Sequence, residues 1–458
     1  MVNSLLETIH FYHTNDLHSH FEYWLRSQFF IRKERLAYAE RGEPSFLFDI
    51  GDHLDRSNIY TEATLGLGNV KLLNEAQYDV VTIGNNEGIT LDFDELYHLY
   101  DEANFEVVVA NLKAANRENP KWLKPYTILE TKYGTKIGVI GATAFYELFY
   151  KELQWDIVEP RKKIISIVKQ LREQVDILLC LSHLGITEDE LLAQDCPDLD
   201  VIFGSHTHHF LETGKMVNGV LLTGCGKFGA YTGHLTIQFD HRERKIIRKE
   251  EKIIDNALLP EIDGEVEFLE QLSSTGKELM SETIFQTTKS YNKEWFHHSQ
   301  ISRLFAKAVL EHTGADCAMF NAGIFLDGLK KGNISKYDIH RILPHPINLC
   351  VVEITGRQLK EVFLQAKNDE WSQLELKGLG FRGLIFGKIL TYDFSVNKNR
   401  ELIVKGEVSD LNRTYQLATL DMFTFGYFFP NFKYAKKKYF LPYFLRDVLI
   451  DYCKRYLN

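Results

Sequence analysis

The first half of the chain repeats one pattern: a short apolar run rich in β-branched residues, a polar tip, then a stretch with helical spacing. The apolar runs are TIHFYHTND, SFLFDIGD, YDVVTIGNN, EVVVANL, KIGVIGAT, DILLCLSHLG, LDVIFGSHTH and GVLLTGCGK. Most are near-continuous rather than alternating, which predicts strands covered on both faces. Helical spacing occupies 22–41, 61–77, 92–104 and 160–174. This alternation predicts a layered α/β domain over residues 1–240.

After residue 240 the texture changes. The stretch HRERKIIRKEEKIIDNALLPEIDGEVEFLEQL is charged and takes helical spacing from Leu259 onward. Residues 241–290 are therefore expected to connect two domains and to act as a hinge. A second module is expected over 291–458, with a helix in SQISRLFAKAVLEHTG and strands in DCAMFNAG, NLCVVEITG and KILTYDFS. A chain of 458 residues exceeds one typical core, so length agrees with two domains.

Composition narrows the function classes. With 45% hydrophobic and 25% charged residues the chain is a folded globular protein rather than a disordered one. Its net charge of -10 lacks the basic footprint that counterion release needs, so no nucleic-acid partner is expected. The six cysteines are scattered without a C-x-x-C pair, and buried thiols rather than disulfides are expected. The opening MVNSLLETIHFYHTND lacks the features of a signal peptide, and no run reaches the ~18 apolar residues of a membrane span. The resulting expectation is a cytoplasmic enzyme with no membrane association and no protein partner.

The chemistry sits at the tips of the apolar runs. Asp16, Asp52, Asn85, His183 and His206 each follow a strand-like run. Ligands in α/β folds collect outside the carboxyl ends of the strands, so residues far apart in sequence can meet there. Five motifs result: DLHSH (16–20), GDHLDRS (51–57), GNNEG (84–88), SHLG (182–185) and GSHTHH (204–209). Carboxylates, an amide and imidazoles form a donor set suited to Mn, Zn or Fe. Cysteine-based structural zinc is excluded by the cysteine spacing. On extended chain, D-x-H and H-x-H turn their i and i+2 side chains to the same side. A lone GD or GN is an ordinary turn sequence; five such motifs in order, each after a strand, predict a metal centre.

These motifs resemble the calcineurin-like metallophosphoesterases, whose pattern is D-x-H, GD, GN-H-E, H and G-H-x-H. Within them the chain looks most like the 5'-nucleotidase / 2',3'-cyclic phosphodiesterase family, over nearly its whole length. The resemblance implies a metallophosphoesterase domain with a central mixed β-sandwich, followed by a C-terminal α+β substrate-binding domain. It also implies two divalent metal ions per chain, bridged by Asp52. Asp16, His18 and His208 would complete the shell of one ion, and Asn85, His183 and His206 that of the other. Two such ions activate water and neutralise charge on phosphoryl oxygens, so no side-chain nucleophile is required. The implied substrate is a small phosphoester, a nucleotide above all.

The chain departs from that family in three places. The GN-H-E motif reads Gly84-Asn85-Asn86-Glu87, with Asn86 where the family has a catalytic histidine. Asparagine donates a hydrogen bond to a phosphoryl oxygen but carries no charge and delivers no proton. Losing a general acid costs ~10²–10⁴-fold in rate. His20, His53 and His209 flank ligand motifs and are candidates to supply the proton, with His20 carried forward as catalytic. The family's N-x-G-G-I-R motif reads Asn321-Ala322-Gly323-Ile324-Phe325, with phenylalanine in the arginine place. Arg382, in GLGFRG, is the candidate to replace that charge. The aromatic clamp for a nucleobase maps onto Phe381 and onto the segment near Met422, Phe423 and Phe425, but its usual G-G-D turn is absent.

The expected function is two-metal hydrolysis of nucleotides or nucleotide-like phosphoesters, as a 5'-nucleotidase, 2',3'-cyclic phosphodiesterase or nucleotide-conjugate diphosphatase. Two alternatives stand beside it. The lost arginine suggests a phosphohydrolase for a substrate without a nucleobase, and Asn86 suggests a catalytically impaired nucleotide-binding protein.

Overall fold

Each apolar run of the first half becomes a strand, and the strands form two sheets. These elements come from a computed structural model that describes residues 6–376 and 378–457. The seven-stranded sheet runs Lys245–Asp255, Tyr231–Asp240, Leu6–Thr14, Ser45–Asp49, Val80–Val81, Glu106–Val108, Leu123–Lys124. The six-stranded sheet runs Lys215–Val217, Val220–Thr223, Val201–Gly204, Ile177–Ser182, Lys136–Ala142, Tyr126–Glu130. Both sheets are mixed. Leu6–Thr14 pairs parallel with Ser45–Asp49 and antiparallel with Tyr231–Asp240. Ile177–Ser182 is flanked by parallel partners on both sides.

The sheets face each other across one apolar layer. Phe11, Phe48, Val80 and Ile237 of the first sheet pack with Val139, Leu179, Leu181 and Phe203 of the second, all fully or almost fully buried. Each such side chain contributes ~1.5–3 kcal/mol by leaving water. The second sheet's outer face is covered too. Ile140, Leu178, Cys180 and Ile202 meet Ile164, Val168 and Leu171 of the helix Pro160–Leu171 and Leu192 of the helix Ile186–Asp195. Strands buried on both faces explain the near-continuous apolar runs.

The chain divides into two compact units, Met1–Thr275 and Gly276–Asn458. This differs from a first domain closing at 240 followed by a connector over 241–290. The charged run is the edge strand Lys245–Asp255, paired along its length with Tyr231–Asp240. An edge strand turns charged residues to solvent, which hides its pairing from a hydropathy reading. The rest of the expected connector holds the helix Glu265–Leu279 and the strand Thr283–Thr287. The helical pattern over 61–77 is two helices, Ile59–Thr64 and Leu67–Glu75, because Leu65 and Gly66 both take left-handed backbone.

The C-terminal unit is α+β. Its five-stranded sheet runs Ile389–Tyr392, Cys317–Asn321, Thr414–Leu420, Asn348–Thr355, Lys436–Phe444. The helix Gln300–Thr313 packs on it through Phe305, whose ring lies 5.1 Å from that of Phe320. All six cysteines are buried free thiols. Among the described residues, no helix is long and apolar enough to cross a membrane.

Candidate metal centre

The loops at the carboxyl ends of the sandwich strands bring the expected residues together. Ligand atoms of Asp16, His18 and His208 lie within 4.8 Å of one another, as do those of Asp16, Asp52 and His183. Asp52 Oδ2 is 3.7 Å from His18 Nε2 and 3.4 Å from His183 Nε2, so this oxygen stands between the two groups. The His183 and His206 rings are 5.2 Å apart. Asn85 opens the helix Asn85–Thr90, one residue after Gly84, which abuts Asp52.

Loop conformation, not strand alternation, makes these side chains converge. Asp16, His18, Asp52, His206 and His208 all have left-handed φ, between 49° and 71°. The D-x-H and H-x-H pairs are therefore not on extended chain, which corrects the expected i, i+2 geometry. Two glycines allow the loops to close. A Cβ on Gly51 would sit 2.3 Å from Gly84 N, and one on Gly84 would sit 2.0 Å from Asp52 Oδ1.

Hydrogen bonds lock the loops around the centre. The Glu87 carboxylate accepts the backbone N–H groups of Asp52 (2.9 Å), Gly84 (2.7 Å) and Leu54 (3.1 Å), clamping GDHL to GNNE. Asp52 Oδ1 accepts the Asn86 N–H at 2.7 Å. His183 Nδ1 donates to Ile50 O at 2.7 Å, which orients the ring and leaves Nε2 facing the centre. His18 Nδ1 lies 2.7 Å from the Asn86 amide nitrogen and 3.6 Å from Asp55 Oδ2, leaving Nε2 to face the centre.

The site's electrostatics call for a cation. Burial disfavours charge on His183, yet the Asp52 carboxylate overrides it and raises the imidazole to about 10. His18 is likewise raised against burial, by Asp55, Asp52 and Asp16. Burial alone would raise Asp52, but His183 and His18 hold it below the usual carboxylate range. His206 and His208 are lowered to about 4, chiefly by burial, so both present neutral nitrogens. Asp16 Oδ1, Asn85 Oδ1 and His183 Nε2 are buried without a hydrogen-bond partner. Each such orphan costs ~1–3 kcal/mol unless something satisfies it. Divalent cations fit this donor set and would satisfy all three.

The other expected residues fall elsewhere. His20 is roughly half exposed, with Nδ1 3.5 Å from Glu22 and its ring 4.1 Å from Phe228, outside the ligand cluster. His53 is buried against Trp24 and Phe21 and is pushed down to about 3 by burial, as a neutral core histidine. His209 is pinned by Thr207 and the Thr223 carbonyl. The Asn86 side chain engages His18. In the C-terminal unit, Asn321 donates to Phe386 O at 2.7 Å, and Gly323 is packed so closely that a Cβ would meet Ile385 O at 2.0 Å. Phe325 packs against Phe305 and Phe320 in the core. Phe381 and Met422 are buried, and Phe381 stacks on His345 at 5.2 Å. Arg382 donates its backbone N–H to His345 Nδ1, and Phe425 is 43% exposed.

Sequence reasoning missed Asn15, Asp55, Glu87 and Ser205, which hold the ligands rather than form them. Glu87 carried a signal: an acidic residue three positions after a helix cap is the capping-box pattern. For the other three, nothing in local spacing marks them out.

Comparison with known proteins identifies the family. Residues 9–210 match the calcineurin-like phosphoesterase family, and residues 278–429 match the 5'-nucleotidase C-terminal domain. The chain is 40% identical over 454 residues to an uncharacterized metallophosphoesterase of Bacillus subtilis (strain 168), YunD, covering 97% of this chain and 98% of that one. It is 24% identical to the 5'-nucleotidase of Homo sapiens over 77% of this chain and 70% of that one. A putative 5'-nucleotidase from Staphylococcus aureus shares the fold with a TM-score of 0.71 at 17% identity, over 98% of this chain and 97% of that one. The Haemophilus influenzae NAD nucleotidase does so with a TM-score of 0.67 at 17% identity, over 99% and 97%. Calcineurin-like phosphoesterases bind a dinuclear divalent metal site, and the residues described here offer its ligand groups. The chain belongs to the calcineurin-like metallophosphoesterases with a 5'-nucleotidase C-terminal domain, and it is a metal-dependent phosphoric ester hydrolase.

Proposed function

We propose that this enzyme hydrolyses phosphoesters of nucleotides or nucleotide-like compounds, using two divalent ions held by Asp16, His18, Asp52, Asn85, His183, His206 and His208. The observation that carries the ligand set is the trio of buried, partnerless atoms on Asp16, Asn85 and His183. Asp52, whose Oδ2 lies between His18 and His183, would be the carboxylate shared by the two ions. When bound, the ions supply Lewis acidity: they acidify water and neutralise the phosphoryl oxygens. The chain's own work is positional. Glu87 fixes the two loops that carry Asp52 and Asn85, and Ile50 O and Asp55 orient His183 and His18. Mn, Zn and Fe suit this mixed oxygen and nitrogen donor set.

The nucleotide substrate is supported by the C-terminal domain and by the names of relatives, a 5'-nucleotidase and a NAD nucleotidase. A second reading, a substrate without a base, is favoured by Phe325 lying in the core and Phe381 already stacked on His345. A panel of nucleoside monophosphates, 2',3'-cyclic nucleotides, dinucleotides and sugar phosphates, run with Mn²⁺, separates them. The expected outcome is a higher kcat/KM on nucleotides; a preference for sugar phosphates overturns the nucleotide reading. A cytoplasmic setting belongs to the same proposal, supported by six thiols without a disulfide and tested by cell fractionation.

A further inference from the structure

Asp16 is held in an asymmetric way. Its Oδ2 accepts three hydrogen bonds, from Asn15 Nδ2 (2.8 Å), Ser205 Oγ (2.7 Å) and the His206 N–H (3.1 Å). Its Oδ1 is buried and accepts none, and it is the oxygen that faces His18 (3.8 Å) and His208 (3.5 Å). A free carboxylate rotates and offers either oxygen. Here three donors on one oxygen fix the rotation and commit the other to the centre.

Asn15 is the donor with the most invested in this arrangement, since every hydrogen-bonding atom of its side chain is engaged. Nδ2 also donates to Gly226 O at 2.7 Å, while Oδ1 accepts the Cys225 N–H (3.0 Å) and the Cys225 thiol (2.7 Å). Asn15 follows the strand Leu6–Thr14 of one sheet. Cys225 and Gly226 follow Val220–Thr223 of the other, and Ser205 follows Val201–Gly204 of that same sheet. The amide therefore joins the carboxyl ends of the two sheets at the point where Asp16 enters the site. A carboxylate carried by one sheet is oriented by its neighbour Asn15, itself bonded to the other sheet's loop, and by Ser205 and the His206 N–H of that other sheet.

We propose that Asn15 is a positioning residue that, with Ser205, holds Asp16 as a ligand through Oδ1 alone; this rests on the ligand set proposed above. Outer-shell groups that orient a metal ligand change affinity ~10–100-fold when removed. The test is Mn²⁺ titration by calorimetry of full-length wild-type, Asn15→Ala and Ser205→Ala protein, with the visible spectrum of each Co²⁺-loaded form as a readout of ligand geometry. Asn15→Ala is expected to weaken Mn²⁺ binding ~10–100-fold and to alter the Co²⁺ spectrum. Ser205→Ala removes one of the three donors and is expected to shift both readouts the same way by less. Wild-type affinity and spectrum in a folded Asn15→Ala protein overturn the proposal. Should Asn15→Ala fail to fold, unchanged readouts in Ser205→Ala overturn it. A wild-type chain that binds no divalent ion instead defeats the two-metal reading itself.

Discussion

Two sets of loops in this enzyme leave strand ends and carry residues expected to act, and they hold those residues by opposite means. At the carboxyl ends of the sandwich strands, polar atoms point inward and some have no hydrogen-bond partner, as with Asn85 Oδ1 and His183 Nε2. In the C-terminal unit the corresponding side chains are largely engaged, with Asn321 Oδ1 as a buried atom without a hydrogen-bond partner. Phe381 stacks on His345, Phe325 fills the core beside Phe305 and Phe320, and Asn321 Nδ2 is bonded to Phe386 O. Unsatisfied buried polarity is expensive, and three such atoms on convergent loops point to something that relieves them. Well-packed aromatic rings pay their own way in the fold. The first region is organised around something to be bound, and the second largely around itself, with Phe425 and Tyr427 among its exposed aromatic groups.

That contrast can be broken by substitution. The largest effect belongs to Asp52→Asn, which should take phosphoester turnover below detection and reduce metal content measured by mass spectrometry. Wild-type turnover there would end the bridging assignment. Next comes Phe381→Ala, expected to destabilise the protein by ~3–5 kcal/mol in urea unfolding, as for other buried aromatic residues. A loss of nucleotide affinity at unchanged stability would instead mark Phe381 as a substrate contact. The smallest effect is that of Phe425→Ala. Its exposed ring predicts little change in stability, and stacking on a base predicts a KM for nucleotides raised by the equivalent of ~1–3 kcal/mol. An unchanged KM would remove Phe425 from the binding surface and strengthen the reading without a nucleobase.

The same contrast explains what could be read from the amino-acid order. The candidate metal centre is legible because its residue types are specialised: Asp, His and Asn at the ends of apolar runs have few other reasons to recur in that arrangement. The strands were accessible because Ile177–Ser182 and its neighbours are buried on both faces. The edge strand Lys245–Asp255 is hidden, since most of its charges reach solvent and mimic a linker, although Glu251 is buried against His13. Left-handed backbone at Asp16 and His208 left no hydropathic trace, so the side chains converge by a geometry that alternation does not describe. In the C-terminal unit, phenylalanine serves packing and recognition equally, and its identity alone does not separate them. Asn15 and Ser205 act through contacts formed only when two sheets meet.

The left-handed backbone at five of the proposed ligands also sets the terms on which this centre can be redesigned. Non-glycine residues rarely adopt that backbone, and Asn, Asp and His are the side chains that tolerate it best. The same short list supplies the metal donors, so one residue choice meets both a coordination demand and a conformational one. Exchanges among Asp, Asn and His at positions 16, 18, 52, 206 and 208 are therefore expected to change the donor set at little cost to the loop backbone. Glu, Gln or Cys at those positions would offer a serviceable donor atom on a backbone it resists, so the repertoire of variant metal sites is narrower than coordination chemistry alone would allow.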